Sequence, residues 1–453
     1  MSSSSSLTVG KLVLSNTTSN QDATDRLRIT NSIVLYDNNS AFGKQLSNIN
    51  ELLTGTATSQ TPIPVNISYG TLSCTTIGTI SKAVSQSYEY VPYQSGSSKF
   101  VVMTGVLEIT GGVNGSVSRI GTFDDSADKT VVSGLGNGHF FQLGTTATGT
   151  PSNSGTTMNV VERTYSTSTN SVFDIANDHV TPQTSWNIDK FDGKGPSGFT
   201  INYWGNAMIF VIDIQWLGVG RVRYGFYING IIYYVHYITH SGLGTPYTTA
   251  IQQPYTQMAK LPVRYELITN TTTQSIPHLR IMCSSVYSEN GFIPTNRSTS
   301  YLSMTPITLT SSFKPVLSIS LPKSEPLNRM TIAISSVDIF NNSASNSIAW
   351  QLVQLSSDVI LTGVSWQPTS GVAVVDTAST ALTTLTGAVV LASGFVVTGT
   401  KTTSQTSFNF NNYLSAGLVN SAINGTPRVI SLCCAYIGGA ASAQGSLTWY
   451  EIF

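Results

Sequence analysis

The chain has 453 residues, 22 Lys and Arg against 22 Asp and Glu, and a formal net charge of zero. That length supports more than one hydrophobic core. Charged residues make up only 10% of it, with Ser, Thr, Asn and Gly in their place, a balance that disfavours long solvated helices and electrostatic capture of nucleic acid or anionic membrane.

The first 64 residues start with a Ser tract and carry short β-like runs at Leu7–Leu14 and Leu27–Leu35. A stretch from Gly43 to Leu53 has the pattern of a short helix, and Thr54–Pro64 that of a linker. This part is expected to be an extended N-terminal attachment segment without a core of its own. It has neither the basic nor the apolar region of a secretion signal, and no run in the chain approaches the roughly 18 apolar residues of a membrane span.

Residues 65–307 alternate as strand after strand: Phe100–Ile109, Ser118–Phe123, His139–Leu143, Thr156–Thr164, Pro262–Leu267 and Leu279–Cys283, with a turn-rich loop over Asp189–Gly198. The most specific segment is Ala207–Tyr237. Met208, Phe210, Ile212, Ile214 and Trp216 share one face of a strand; Gly218-Val219-Gly220 turns the chain, and Asn229-Gly230 predicts a two-residue type I′ hairpin. That turn implies the pairs Ile228–Ile231, Phe226–Tyr233, Tyr224–Val235 and Val222–Tyr237 on a core face. Arg221, Arg223, Gly225 and Tyr227 then oppose Ile238, His236, Tyr234 and Ile232 on a half-wet face. Residues 308–453 continue with Pro315–Leu321, Arg329–Ile334, Ala349–Val353, Val372–Val375, Val389–Val397, Val429–Cys433 and Gly445–Phe453. The expected fold is all-β: an antiparallel, jelly-roll-like β-sandwich over 65–307, then a second, smaller β-sandwich over 308–453.

Catalytic and metal chemistry lack their spacings. His236 and His240, four apart in a strand, are placed poorly for one zinc ion. Gly134-Leu-Gly-Asn-Gly138 has no P-loop lysine, and Asp124, Asp125 and Asp128 miss the EF-hand pattern. Glycosidase chemistry needs two carboxylates about 5–9.5 Å apart. The candidates are Glu108, Asp124, Asp125, Asp189, Asp192, Asp213 and Glu266, and Asp213 is explained more simply by an ion pair with Arg221 or Arg223. Cys74, Cys283, Cys433 and Cys434 form no CxxC pair and are expected as buried thiols. No cofactor is expected. The candidate interaction residues are Arg221, Arg223, Tyr227, Tyr234 and Trp204, whose aromatic rings suit either sugar stacking or packing beneath another sheet or subunit.

Several runs together resemble a module of virion structural proteins from tailed phages and large DNA viruses: Arg119–Asp125, Gly138–Phe141, Trp186–Gly193, Ile214–Phe226 and Leu261–Glu266. The same resemblance extends through Leu317–Leu321, Leu327–Arg329, Trp350, Thr362–Trp366, Val375–Asp376, Ser393–Gly394 and Gly445–Trp449. It covers roughly Phe100 to Phe453 and implies a non-enzymatic capsid, spike or fibre-like subunit in a virion. Its partners would be other virion proteins and its own copies, as trimers or pentamers. The alternatives are a receptor- or glycan-binding spike and, after it, a polysaccharide-degrading tailspike.

Overall fold

A computed structural model describes residues 32–39, 50–56, 59–61, 70–73, 81–108, 116–124, 136–144, 158–164, 178–241, 256, 258–269, 278–289, 298–324, 330–343, 345–357, 360–382, 388–397, 404–409, 418–423 and 425–452. Among them helix is confined to 3-10 conformation, at Gln183–Ser185 and at Ile360; the rest is strand and connection, in keeping with the charge-poor, Thr- and Val-rich composition. The chain is an all-β protein of antiparallel sheets packed around two separate cores.

In the first sandwich, one sheet runs Ile33–Asn39, His278–Ser288, Lys99–Glu108, Ala207–Gln215, Arg221–Ile228, Ile231–Thr239, with Gly70–Ser73 added alongside His278–Ser288. The facing sheet runs Asp178–Pro182, Met158–Arg163, Gly138–Leu143, Ser116–Phe123, Val263–Thr269, Ser81–Ser87, Asn50–Thr56, Ser59–Thr61. Alternation along each strand puts Met103, Phe210, Ile212, Phe226, Ile120, Phe141, Val160 and Tyr265 between the two sheets.

The stretch expected as an N-terminal attachment segment supplies strands to both sheets. Ile33–Asn39 pairs with His278–Ser288, and Asn50–Thr56 pairs with Ser81–Ser87. Residues 50–53, read as the end of a short helix, are strand because an adjacent edge offers them a full ladder, and cross-strand pairing outweighs local propensity. The Leu7–Leu14 run lies outside the described residues.

The second sandwich packs Ser298–Leu302, Ser442–Ile452, Thr331–Asn341 and Ser404–Asn409 over Gln367–Pro368, Val374–Asp376, Lys314–Ser320, Val429–Ile437, Ser347–Leu355 and Val389–Val396. Ile319, Ile334, Ile339, Trp350, Leu432 and Trp449 fill its core. Ser298–Leu302 and Ile307–Thr308 both pair with the last strand, so the second sheet system begins before residue 308. The two units touch where the Lys260 ammonium donates to the Ile452 carbonyl and where the Arg428 guanidinium lies 3.7 Å from the centre of the Tyr88 ring.

Candidate interaction face

Asn229 (φ 51°) and Gly230 (φ 85°) both adopt the left-handed conformation that a type I′ turn demands, and the hairpin starts in the expected register, Ile228 opposite Ile231 and Phe226 opposite Tyr233. Beyond it the ladder slips: Gly225 pairs with Tyr234 and Tyr224 with His236, leaving Val235 as the extra residue of a β-bulge. The local cause is Gly225. A Cβ there would stand 2.7 Å from the Tyr233 carbonyl oxygen and 3.0 Å from the Tyr234 ring, an approach only glycine permits.

One inserted residue exchanges the faces of everything that follows. His236 and Ile238, expected on the half-wet face, turn inward beside Tyr224 and Val222; Tyr237, expected in the core, comes out opposite Arg223. Tyr237 thereby joins a lateral row on the outer face of the seven-stranded sheet. Strand by strand the row reads Val34, Tyr287, Phe100, Asp213, Arg223, Tyr237. Five strand spacings make it about 24 Å wide. Val34 is exposed, Tyr287, Phe100 and Tyr237 are half-buried, and the Asp213–Arg223 centre is fully buried. A parallel row one pleat along holds Asp37, Ser285, Val102, Val211, Gly225 and Tyr234.

The centre of the face is a fixed polar unit. Arg223 Nη2 lies 2.6 Å from Asp213 Oδ2, the Tyr234 hydroxyl donates to the same oxygen at 3.0 Å, and the guanidinium lies 4.1 Å from the Tyr234 ring centre. Ion pair, hydrogen bond and cation–π contact lock Tyr234 and Arg223 against rotation. Arg221 approaches the Tyr237 ring at 5.9 Å. The expected ion pair of Asp213 is therefore present, and its partner is Arg223.

Of the five residues named from the sequence, Arg221, Arg223, Tyr227 and Tyr234 share this outer face. Arg223 and Tyr234 form its buried floor, and Tyr227 is exposed. Trp204 is not on it. Its ring is buried on the opposite side of the sheet, 5.1 Å from Phe226, 6.0 Å from Trp186 and 6.5 Å from Phe191, with its indole N–H donated to Gln183 Oε1. The loop before Ala207 folds back over the core and takes the tryptophan with it, so Trp204 is a packing residue. Phe100, Tyr237 and Tyr287 escaped the sequence reading. Phe100 belongs to a visibly alternating strand, yet nothing local places that strand between 207–215 and 278–288.

The remaining candidates have structural duties. Asp124 accepts from the Tyr90 hydroxyl and the Asn137 N–H, Asp189 from the N–H groups of Phe191 and Ser197, and Asp192 from that of Lys194. Glu266 is ion-paired to Arg119 at 2.8 Å and Lys82 at 3.1 Å, and also to Arg264. The side chains of Glu108 and Asp125 lie outside the described residues. His240 pairs with Glu162 at 3.0 Å, whereas His236 accepts the Asn187 N–H, so the two histidines serve different partners. Burial pushes His236 down to about 4. Burial, assisted by Lys99 and His240, pushes His139 down to about 3. No cluster of three metal-ligating side chains occurs among the described residues. Cys433 and Cys434 are buried thiols as expected; Cys283 is exposed, at the irregularity between Ile281 and Ser284 where its strand slips register against Lys99–Glu108.

Fold and face together define an antiparallel β-sandwich protein with an aromatic-lined sheet surface. No protein-family model matches the chain, and no curated protein matches it. Solved structures that overlap it include a legume lectin-like domain from Entamoeba histolytica, at 8% identity over 57% of this chain and 99% of that one, with a TM-score of 0.33. A lectin from Bauhinia forficata in complex with GalNAc overlaps at 10% identity, 57% and 98% coverage and a TM-score of 0.30. An endo-β-1,4-glucuronan lyase from the fungus Trichoderma reesei does so at 11% identity, 56% and 95% coverage and a TM-score of 0.32.

Proposed function

We propose that the protein is a non-catalytic carbohydrate-binding protein whose binding surface is the outer face of the seven-stranded sheet. The observation that carries this reading is the row Tyr287, Phe100, Asp213, Arg223, Tyr237. Half-exposed rings flank a rigid polar centre on a regular sheet, across a width suited to an extended chain. Rings offer their faces to the C–H side of a sugar, while Tyr hydroxyls, Ser285 and Arg221 supply directional hydrogen bonds at the margins.

Carboxylate placement supports binding without hydrolysis. Among the described residues the exposed carboxylate on this face, Asp37, lies three strands and one pleat from Asp213, about 16 Å, beyond the separation that either glycosidase geometry uses. Asp213 itself is committed to Arg223 and Tyr234. Screening the purified protein on a glycan array tests the proposal: binding that weakens in Tyr237→Ala and in Tyr287→Ala, with unfolding unchanged, is the expected result. Absence of binding to every glycan refutes it.

A second reading, a virion subunit acting through packing with other virion proteins, is favoured by the apolar edge strand Val389–Val396. Its test is composition: purified particles must contain the chain in a fixed stoichiometry.

A further inference from the structure

The strand Val389–Val396 closes one side of the second sandwich. Ser347–Leu355 pairs along one of its edges, and among the described residues no strand pairs along the other. Sheet edges in soluble proteins are usually guarded by a lysine, a proline or an inward charge. Residues 388–397, Ala-Val-Val-Leu-Ala-Ser-Gly-Phe-Val-Val, contain none of these. A bulge between Leu352 and Val353 of the neighbour, with Leu391 as the extra residue, disturbs the first half, but Ala392–Val396 keeps a regular register. On the outward side of that regular half Phe395 is 65% exposed, with Val397, just past the strand, 70% exposed.

The inner side is held firmly. A Cβ on Gly394 would meet the Trp350 ring at 2.9 Å, so the strand lies directly on the core tryptophan, and Val396 is buried. Beside Phe395 the outer surface is low, because the next two residues in its row are Ala349 and Ala435. Ile437, 43% exposed, continues the apolar patch across the sheet beside Ser347. The edge is therefore rigid, apolar and already in strand geometry.

We propose that this edge pairs antiparallel with the same edge of a second copy of the chain, about a two-fold axis close to Phe395, joining two six-stranded sheets into one. A two-fold contact must be self-complementary. An uncharged strand meets its own copy without like-charge repulsion, and the antiparallel register sets Phe395 against its symmetry mate and Ser393 against Val397. The exposed backbone groups of each edge acquire partners, and the two phenyl rings come within stacking distance over the low alanine floor. A charged partner would find no counter-charge on residues 388–397, so a second copy is the occupant this surface fits.

The experiment is light scattering on the full chain across micromolar concentrations, for wild type and for Phe395→Lys/Val397→Lys. Both substituted side chains are exposed, so circular dichroism should be unchanged. The expected result is a wild-type mass of twice 48.4 kDa that returns to 48.4 kDa in the variant. A second arm places Phe395→Cys in a Cys283→Ser background, where mild oxidation should give a covalent dimer, with Leu302→Cys as the exposed control that should not. A wild-type monomer throughout, a three- or five-fold mass, or a dimer indifferent to the lysines overturns the proposal. The glycan array is independent of all three outcomes.

Discussion

Removing the Asp213 carboxylate should be among the most damaging single changes to the first sandwich. In Asp213→Ala, Arg223 keeps its charge in a site with no exposure and loses the oxygen 2.6 Å away, and Tyr234 loses its acceptor at 3.0 Å. Stranding one member of a buried ion pair costs about 3–5 kcal/mol. At about 1.4 kcal/mol per factor of ten, the folding equilibrium of this sandwich should fall by roughly two to four orders of magnitude. Replacing both partners by apolar groups of similar size, Asp213→Leu with Arg223→Met, removes the desolvation penalty along with the attraction. The double variant still takes the Asp213 acceptor from the Tyr234 hydroxyl, so it should regain most of the single variant's loss and stay below wild type by no more than about 1–3 kcal/mol. Denaturant unfolding followed by tryptophan fluorescence, with Trp186 and Trp204 reporting on this core, measures both. If the single and double variants lose equal stability, or the single loses less than about 1 kcal/mol, the pair is not the anchor of the face.

The other expectations concern the bulge, the rings and pH. Gly225→Val should cost about 1–3 kcal/mol by overpacking against Tyr233 and Tyr234, and hydrogen exchange should show loosened protection in strand Ile231–Thr239 but not in Lys314–Ser320. Tyr237→Ala and Tyr287→Ala should each weaken glycan binding by about 0.5–1.5 kcal/mol, roughly 2- to 12-fold, at unchanged stability. Trp204→Ala should instead destabilise by about 3–5 kcal/mol through the cavity it leaves. Burial holds His139 at about 3 and His236 at about 4, both below the usual 6.5. The unfolded chain therefore takes up protons first on acidification. Their contribution is complete above pH 6.5 and is lost as pH falls through 4 and 3, a decline that denaturation midpoints should show and that His236→Gln should reduce. Lys99 and Lys260, both lowered by burial to about 7, act in another window: above pH 7 the unfolded chain alone stays protonated on them, so their contribution to stability grows with pH, until above pH 9 the Cys433 thiol, held up to about 12 by burial, opposes it.

The all-β class, the hairpin at Asn229-Gly230 and the common face of Arg221, Arg223, Tyr227 and Tyr234 were legible in the sequence, because they depend on period-two alternation and on φ > 0 at two adjacent residues. These are local properties, and local sequence states them. The position of Tyr237 was not legible. A bulge at Gly225 reverses the faces of the following strand, and a lone glycine in a strand does not announce whether it bulges. Trp204 shows the complementary limit: its loop offered no period, and the cavity above Phe226 decided which way the ring turned. The row from Val34 to Tyr237 required pairings across as many as about 250 residues of sequence, which only the closure of the sheet around its core could select. Residue alternation thus determined what each strand could show on its two faces, and tertiary packing decided which strands stood side by side and which rings were left together at the surface.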